Sequence, residues 1–159
     1  MSAWISLDAA AICAVVRVVA NVVAAGSDRP SPNGGARQLT TTDERMQRWR
    51  ADAMPLVEAL LAVTSTAMTA LRTGPDALAN SWDHIREIAD QGGQWLKARP
   101  CPDESFGDQL GVLIDQCESL ATAFARCAHD PTTLKFDDLA DRIRALGTGT
   151  VEFLNHLNS

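Results

Sequence analysis

The sequence contains no tyrosine, only two lysines and no long uninterrupted apolar run. Its longest apolar run, residues 9–16, has eight residues, against the roughly 20 that a transmembrane helix needs. Of the 14 basic residues 12 are arginine, a bias typical of GC-rich bacterial genomes. The missing long run disfavours a membrane span, and the shortage of lysine favours a bacterial source.

Sequence motifs of the common enzyme classes are also missing. There is no GxSxG, no Walker A motif and no GxGxxG that opens a helix after a strand. The three histidines are His84, His129 and His156, and none belongs to a HExxH, HxxxH or ExxH motif. We therefore expect no metal, no cofactor and no catalytic residue, and we interpret the histidines as surface residues.

The net charge of −6 and the pI of about 4.9 argue against nucleic-acid binding, because such binding depends on Lys and Arg at the phosphates. The densest basic stretch lies within residues 43–52, where three arginines are flanked by three acidic residues. We interpret it as a solvated helix face.

Cysteine usage favours a cytoplasmic protein with free thiols. The four cysteines are Cys13, Cys101, Cys117 and Cys127, and no CxxC pair occurs. A chain of 159 residues builds a core without disulfides. Only Cys101, in the loop "RPCPDE", falls outside an apolar helical context, so we expect it to be the exposed one.

Turn signals divide the chain into five helical segments. Gly26, Gly74, "RPCPD" and "DP" end successive segments, and Thr41 with Glu44 has the spacing of a capping box. The predicted helices are 3–25, 42–73, 75–99, 103–129 and 134–157. Because Pro55 lies inside the second, we expect a kink or a short break near Met54.

Apolar residues recur at alternating spacings of three and four in the last two helices, and this is the strongest signal in the sequence. In these two helices the repeating positions are Leu110, Leu113, Cys117, Leu120, Phe124 and Cys127, then Phe136, Leu139, Ile143, Leu146, Thr150, Phe153 and Leu157. Antiparallel bundles bury such seams. We predict an all-α, antiparallel up-and-down bundle of about five helices, in which a four-helix core is joined by an N-terminal helix. It forms one domain, 1–159, with an N-terminal helix (3–25), a flexible loop (26–41) and a bundle core (42–158).

The N-terminal helix is predicted to be amphipathic. One face carries the apolar side chains of Ile5, Ile12, Val16, Val19 and Val23. Polar residues gather on the other face, and no basic residue precedes the apolar stretch, which disfavours a secretion signal. We expect this helix to pack on the second helix, which is apolar nearly all round. A membrane-facing or partner-facing anchor is the alternative.

Glycines gather at one level when the helices are folded up and down. We predict a ligand site or a close helix contact there, made by residues from four helices: Leu56, Gly92, Trp95, Gly111, Gly147 and Thr150. Interior glycines cost about 1 kcal/mol each relative to alanine, so something must offset them. Close helix packing is the interpretation that we favour, and a pocket for a small apolar ligand is the alternative.

Acidic spacings resemble magnesium motifs but point mostly to solvent. "FDDLAD" contains a DDxxD string at residues 137–141, and acidic residues in a first helical turn are also favoured by the helix dipole. Glu87-x-x-Asp90 and Asp115-x-x-Glu118 lie at similar heights on neighbouring helices. Relative to the apolar seams, Asp90 and Asp115 fall at outward positions and the other two lie beside the seams. A metal site is therefore the weaker interpretation.

These patterns favour a non-enzymatic helical-bundle protein that acts through protein–protein contacts, either as an accessory or adaptor or as a subunit of an oligomer. Every helix has a wide apolar stripe, which predicts a protein partner or self-association and no nucleic acid. A bundle that binds a small apolar ligand is the first alternative. A magnesium-dependent hydrolase of nucleotides or diphosphates is the second. We expect a cytoplasmic location, with membrane association through residues 3–25 as the alternative.

Overall fold

The part of the chain that the structure describes is entirely helical. A computed structural model describes residues 41–159, which contain four α-helices, one short 3-10 helix and no strand. The elements in chain order are α1 (Thr41–Thr73), α2 (Pro75–Ala98), α3 (Glu104–His129), the 3-10 helix (Pro131–Thr133) and α4 (Phe136–Asn158). The all-α class is therefore confirmed. The predicted N-terminal helix, 3–25, lies outside the described residues, so the fifth helix and the single domain stay predictions.

A single glycine separates α1 from α2. Gly74 has a φ of 126°, a backbone conformation that residues with a Cβ rarely adopt. Its N–H donates to the Ala70 carbonyl at 3.0 Å, and its own carbonyl accepts the N–H of Leu78 at 3.2 Å. Pro75 follows at the first helical position, where its missing N–H costs nothing. The predicted boundary is confirmed.

Polar side chains fix the later boundaries. The Asp103 carboxylate caps α3 by accepting the N–H groups of Ser105 at 2.9 Å and Phe106 at 3.4 Å. Asp130 repeats this arrangement for the 3-10 helix by accepting the N–H of Thr132 at 3.1 Å. The 3-10 helix occupies Pro131–Thr133 after α3, and α4 begins at Phe136 and not at residue 134 as predicted.

The buried core follows the predicted seams. In α3 and α4 the buried seam positions are Leu110, Leu113, Cys117, Leu120, Phe124, Cys127, Leu139, Ile143, Leu146, Thr150, Phe153 and Leu157. Only Phe136 departs from the prediction, with 40% of its surface exposed. It is the first residue of α4, so it has no preceding turn of its own helix beside it.

Pro55 does not break α1. The helix continues through it from Thr41 to Thr73. Pro55 lies on the exposed side of the helix, and so does Ala51, whose carbonyl loses its helical partner. On an exposed side, water can satisfy a carbonyl that has lost its helical partner, so the helix tolerates the proline without a break.

The four helices are arranged so that each lies beside the next and α4 also lies beside α1. The closest packing is between α2 and α3, whereas α1 and α3 meet only slightly. The difference follows from the arrangement, because α1 and α3 lie diagonally across the bundle.

Helix α1 contains a long apolar stretch with few charges. Among the described helices, α1 is the one whose length and composition would allow it to cross a membrane, a test that the core helix of a soluble protein also passes. Of its most apolar 18-residue window, 39% is buried. Side chains just outside the core include those of Met54, Leu56 and Met68.

Candidate functional site

Gly92 is the point at which three helices come together. It lies in α2, and a Cβ added there would be 3.1 Å from Leu56 Cδ1 of α1 and 3.3 Å from Ile114 Cγ1 of α3. Both distances are shorter than ordinary van der Waals contact. The adjacent Gly93 has no atom within 4 Å of the same position. The two neighbouring glycines therefore differ: the first is packed from two sides, and the second is open.

The other residues of the predicted glycine level make separate contacts. A Cβ at Gly111 would lie 3.8 Å from Leu96 Cδ2, and one at Gly147 would lie 3.6 Å from Thr64 Cγ2. Thr150 is fully buried, and its hydroxyl donates to the Leu146 carbonyl of its own helix at 2.7 Å. Side chains of neighbouring helices thus lie against Gly111 and Gly147.

Trp95 belongs to an aromatic cluster at the end of α2. Its ring lies 5.7 Å from that of Trp49, centroid to centroid, with the planes at 52°. The Trp49 indole N–H donates to the Arg99 carbonyl at 2.9 Å and so ties the start of α1 to the end of α2. The structure brings Leu56 to Gly92, but Trp95 is directed to this separate cluster. A ligand at the glycine level stays a prediction.

Two arginines at this end lie over aromatic rings. The guanidinium carbon of Arg50 is 5.6 Å from the centroid of Phe106, and that of Arg99 is 5.8 Å from the ring of Trp95. Such cation–π contacts are worth about 0.5–1 kcal/mol at exposed sites. The Arg50 Nε is buried and has no hydrogen-bond acceptor among the described residues. The sequence analysis treated this arginine only as part of a solvated face.

The three described cysteines are free, as predicted. Cys101 is half-buried rather than exposed, because its thiol packs 3.9 Å from the Met46 sulfur. Burial raises the pKa of Cys101, and the backbone N–H groups of Asp103 and Gly107 oppose that rise. Burial also raises the pKa of Cys117, to about 12. Both shifts favour the protonated thiol, which is the unreactive form.

A groove of about 600 Å³ runs along the outer side of the α3–α4 pair. Its apolar lining comes from Leu139 and Cys127, which are nearly fully buried, and from half-buried Ala123. Its volume falls in the range of about 300–1,000 Å³ that is typical of ligand sites. The groove is open to solvent along its length, and charged side chains from both helices form its rims.

The charges of the groove are ordered along the helix axes. Arg142 lies beside Ser119, bonded to the Asp138 carboxylate at 3.2 Å and to the Ser119 hydroxyl at 3.2 Å. Two basic residues lie at the end nearest the 3-10 helix, and two acidic residues lie toward the opposite end. These four are Arg126, Lys135, Asp115 and Glu118. None of the four makes an ion pair within residues 41–159.

The acidic motifs of the sequence are only partly brought together. Asp115, Glu118 and Asp138 line the groove. Asp90 instead pairs with Arg86 at 3.9 Å, and Glu87 accepts a hydrogen bond from a neighbouring glutamine. Within the described residues no three His, Cys, Asp or Glu side chains are placed to hold one metal ion. The magnesium-dependent hydrolase stays a prediction.

The three histidines are all exposed, as predicted. The sequence analysis missed the basic members of the groove, although a signal for them exists. Asp115, Ser119, Thr122 and Arg126 follow spacings of four, three and four beside the buried seam of α3. A polar stripe parallel to an apolar seam marks the rim of a helix–helix groove, but the sequence does not show which neighbouring helix forms the other rim.

In comparisons with known proteins, no family model, no curated protein and no solved structure matches this chain. Functional inference therefore rests on the residues and contacts described above.

Proposed function

We propose that the protein is a non-enzymatic helical-bundle protein that acts through protein–protein contacts, as an accessory or adaptor or as a subunit of an oligomer. The observation that supports this proposal is the incomplete burial of α1. Glu58 is the one charged residue between Pro55 and Leu71, and the apolar side chains of Leu56 and Met68 are only half-buried by residues 41–159. Apolar helix surface left in water favours association.

We propose further that the whole chain is an up-and-down bundle of five helices and that the N-terminal helix, residues 3–25, is its fifth member. The contacts of Trp49 with Arg99 and of Gly149 with Leu113 agree with helices that alternate in direction. The apolar face that begins at Ile5 and ends at Val23 would pack on α1 or face a partner.

Light scattering coupled to size-exclusion chromatography tests the contact function on the full chain. We expect a mass above the 17.1 kDa of one chain, because an apolar helix face favours self-association. If this face contacts a partner, the double variant Val16→Asp with Val19→Asp should lower that mass; if it packs on α1, the same change should uncover α1 and should not lower the mass. Asn21→Asp, on the opposite face of the predicted helix, should leave the mass unchanged in either case. A strict monomer that retains no protein partner during purification from its native host would contradict the proposal.

Thermal unfolding of the same variants tests the fifth helix. If residues 3–25 pack on the bundle, a charge at Val16 should cost more than about 1 kcal/mol, because it would be buried without a partner. Asn21→Asp should stay within about 0.5 kcal/mol of the unsubstituted chain. Equal effects of the two substitutions would argue against packing of this face.

We propose a cytoplasmic location, with membrane association through residues 3–25 as the alternative. The reduced cysteines and the Arg17 that divides the apolar stretch support the first. Cell fractionation distinguishes the two: recovery in the membrane pellet after an alkaline wash would favour the alternative. Nucleic acid is not proposed as a partner, because the net charge is −6.

A further inference from the structure

We propose that the groove between α3 and α4 binds an extended peptide segment of a partner protein that carries an acidic residue at one end and a basic residue at the other. This inference rests on the proposed contact function, because it names a second contact surface and the chemistry of the segment that fits it. It uses a different part of the molecule from the N-terminal helix and from α1.

The first observation is the separation of charge along the groove. Arg126 and Lys135 are exposed and have no ion pair within residues 41–159, and the same holds for Asp115 and Glu118 at the other end. The Asp138–Arg142 pair is neutral overall, and its arginine lies beside Ser119. The unpaired charges of the groove are therefore basic at one end and acidic toward the other.

The second observation is the distance between the charged ends. Arg126 lies eight residues beyond Glu118 and eleven beyond Asp115 on the same helix, which is about 12–16 Å of helix axis. An extended peptide covers that distance in four or five residues, at about 3.3 Å per residue. A compact ion reaches one end only, whereas a short extended segment reaches both.

The third observation is the apolar middle. Leu139 forms the base of the groove with little exposed surface, beside Ala123, whereas Cys127 lies next to Arg126 at the basic end. An apolar side chain in the centre of the segment would cover this base. The segment that fits is thus charged at its ends, with opposite signs, and apolar at its centre.

Four capped pentapeptides test the proposal: Asp-Ala-Val-Ala-Lys, its reverse Lys-Ala-Val-Ala-Asp, and two controls with Asp or Lys at both ends. Each is titrated into the full chain and followed by heteronuclear NMR. We expect at least one opposite-charge peptide to bind with a Kd below about 1 mM. Shifts should be confined to the groove, and the like-charge controls should bind at least about tenfold more weakly.

Charge reversal at one end makes the test specific. The variant Arg126→Glu with Lys135→Glu makes both ends acidic, so it should bind the peptide with two lysines best. Conversely, Asp115→Lys with Glu118→Lys should bind the peptide with two aspartates best. The control variant Arg45→Glu with Lys97→Glu changes the net charge as much as the first reversal does, at exposed positions outside the groove. It should keep the unsubstituted preference.

Three results would overturn the inference. The first is that none of the peptides binds. The second is that the control reversal changes the preference as much as the groove reversal does, which would mean attraction by net charge alone. The third is that inorganic phosphate at constant ionic strength produces the same shifts, with no effect of Asp115→Lys, which would mean a simple anion site. If the peptides do not bind but light scattering shows an oligomer, the proposed contact function stands and the peptide groove is wrong. If the peptides bind but the protein is a strict monomer without a partner, the groove stands and the proposed self-association is wrong.

Discussion

Gly92 and Gly93 offer a matched pair that tests the packing of α2 against its neighbours. Both are interior glycines of the same helix, so alanine at either should gain about 0.8–1.0 kcal/mol of helix propensity. At Gly93 the added methyl group meets nothing within 4 Å. We therefore expect Gly93→Ala to raise the free energy of unfolding by nearly that full amount.

At Gly92 the same methyl group is placed against two helices. It would lie 3.1 Å from Leu56 Cδ1 and 3.3 Å from Ile114 Cγ1. Leu56 is half-buried and has room to move, but Ile114 is only 5% exposed and its Cγ1 is held near the backbone. Overpacking of this kind costs about 1–3 kcal/mol. We therefore expect Gly92→Ala to be less stable than Gly93→Ala by that amount.

Urea titration followed by circular dichroism at 222 nm measures both variants. The difference between them removes helix propensity, which is common to both, and leaves the packing contribution. In a Leu56→Ala background the cost of Gly92→Ala should fall, because the nearest atom is then gone. If Gly92→Ala stabilises the protein as much as Gly93→Ala does, the close approach of the helices does not depend on Gly92 and the packing argument is wrong.

Further predictions follow from single residues. Pro55→Ala should raise the free energy of unfolding by about 1–3 kcal/mol, because it restores an interior helical hydrogen bond. Pro75→Ala, at a first helical position, should change the free energy of unfolding little. Equal shifts of the two variants in thermal melts would contradict this prediction. Asp103→Ala should lower the free energy of unfolding by about 0.5–2 kcal/mol, because it removes the cap of α3. Asp103→Asn should keep most of the stability. Equal losses of unfolding free energy in urea titrations would mean that the cap does not stabilise the helix. For Cys117 the native pKa of about 12 lies above the ordinary value of 9.0, so its stabilising contribution is present below pH 9 and is lost as the pH rises toward 12. From pH 8 to pH 10 the free energy of unfolding should fall by about 1.4 kcal/mol on its account. In Cys117→Ala that fall should be smaller by the same amount, and an unchanged fall would refute the assignment.

The groove shows how far sequence reasoning reached toward a site. In the sequence, Asp115, Glu118 and Asp138 belong to acidic spacings that indicate only a weak metal motif. The structure places these three along one groove with Arg126 and Lys135, and its unpaired acidic residues, Asp115 and Glu118, lie away from the two basic residues. Charge order depends on which two helices are neighbours and on how far each is rotated about its axis. Neither quantity is written in the spacing of residues along one helix.

The sequence by itself determined the helical class, most helix boundaries and the buried seams of α3 and α4. These depend on local physics: glycine and proline end helices, Asp103 caps one, and apolar residues at spacings of three and four share a face. Only the tertiary structure decided that α1 continues through Pro55, that Phe136 stays partly exposed and that Gly92 is packed while Gly93 is open. These depend on which side of a helix meets a neighbour, and that is fixed by the packing of all four helices together.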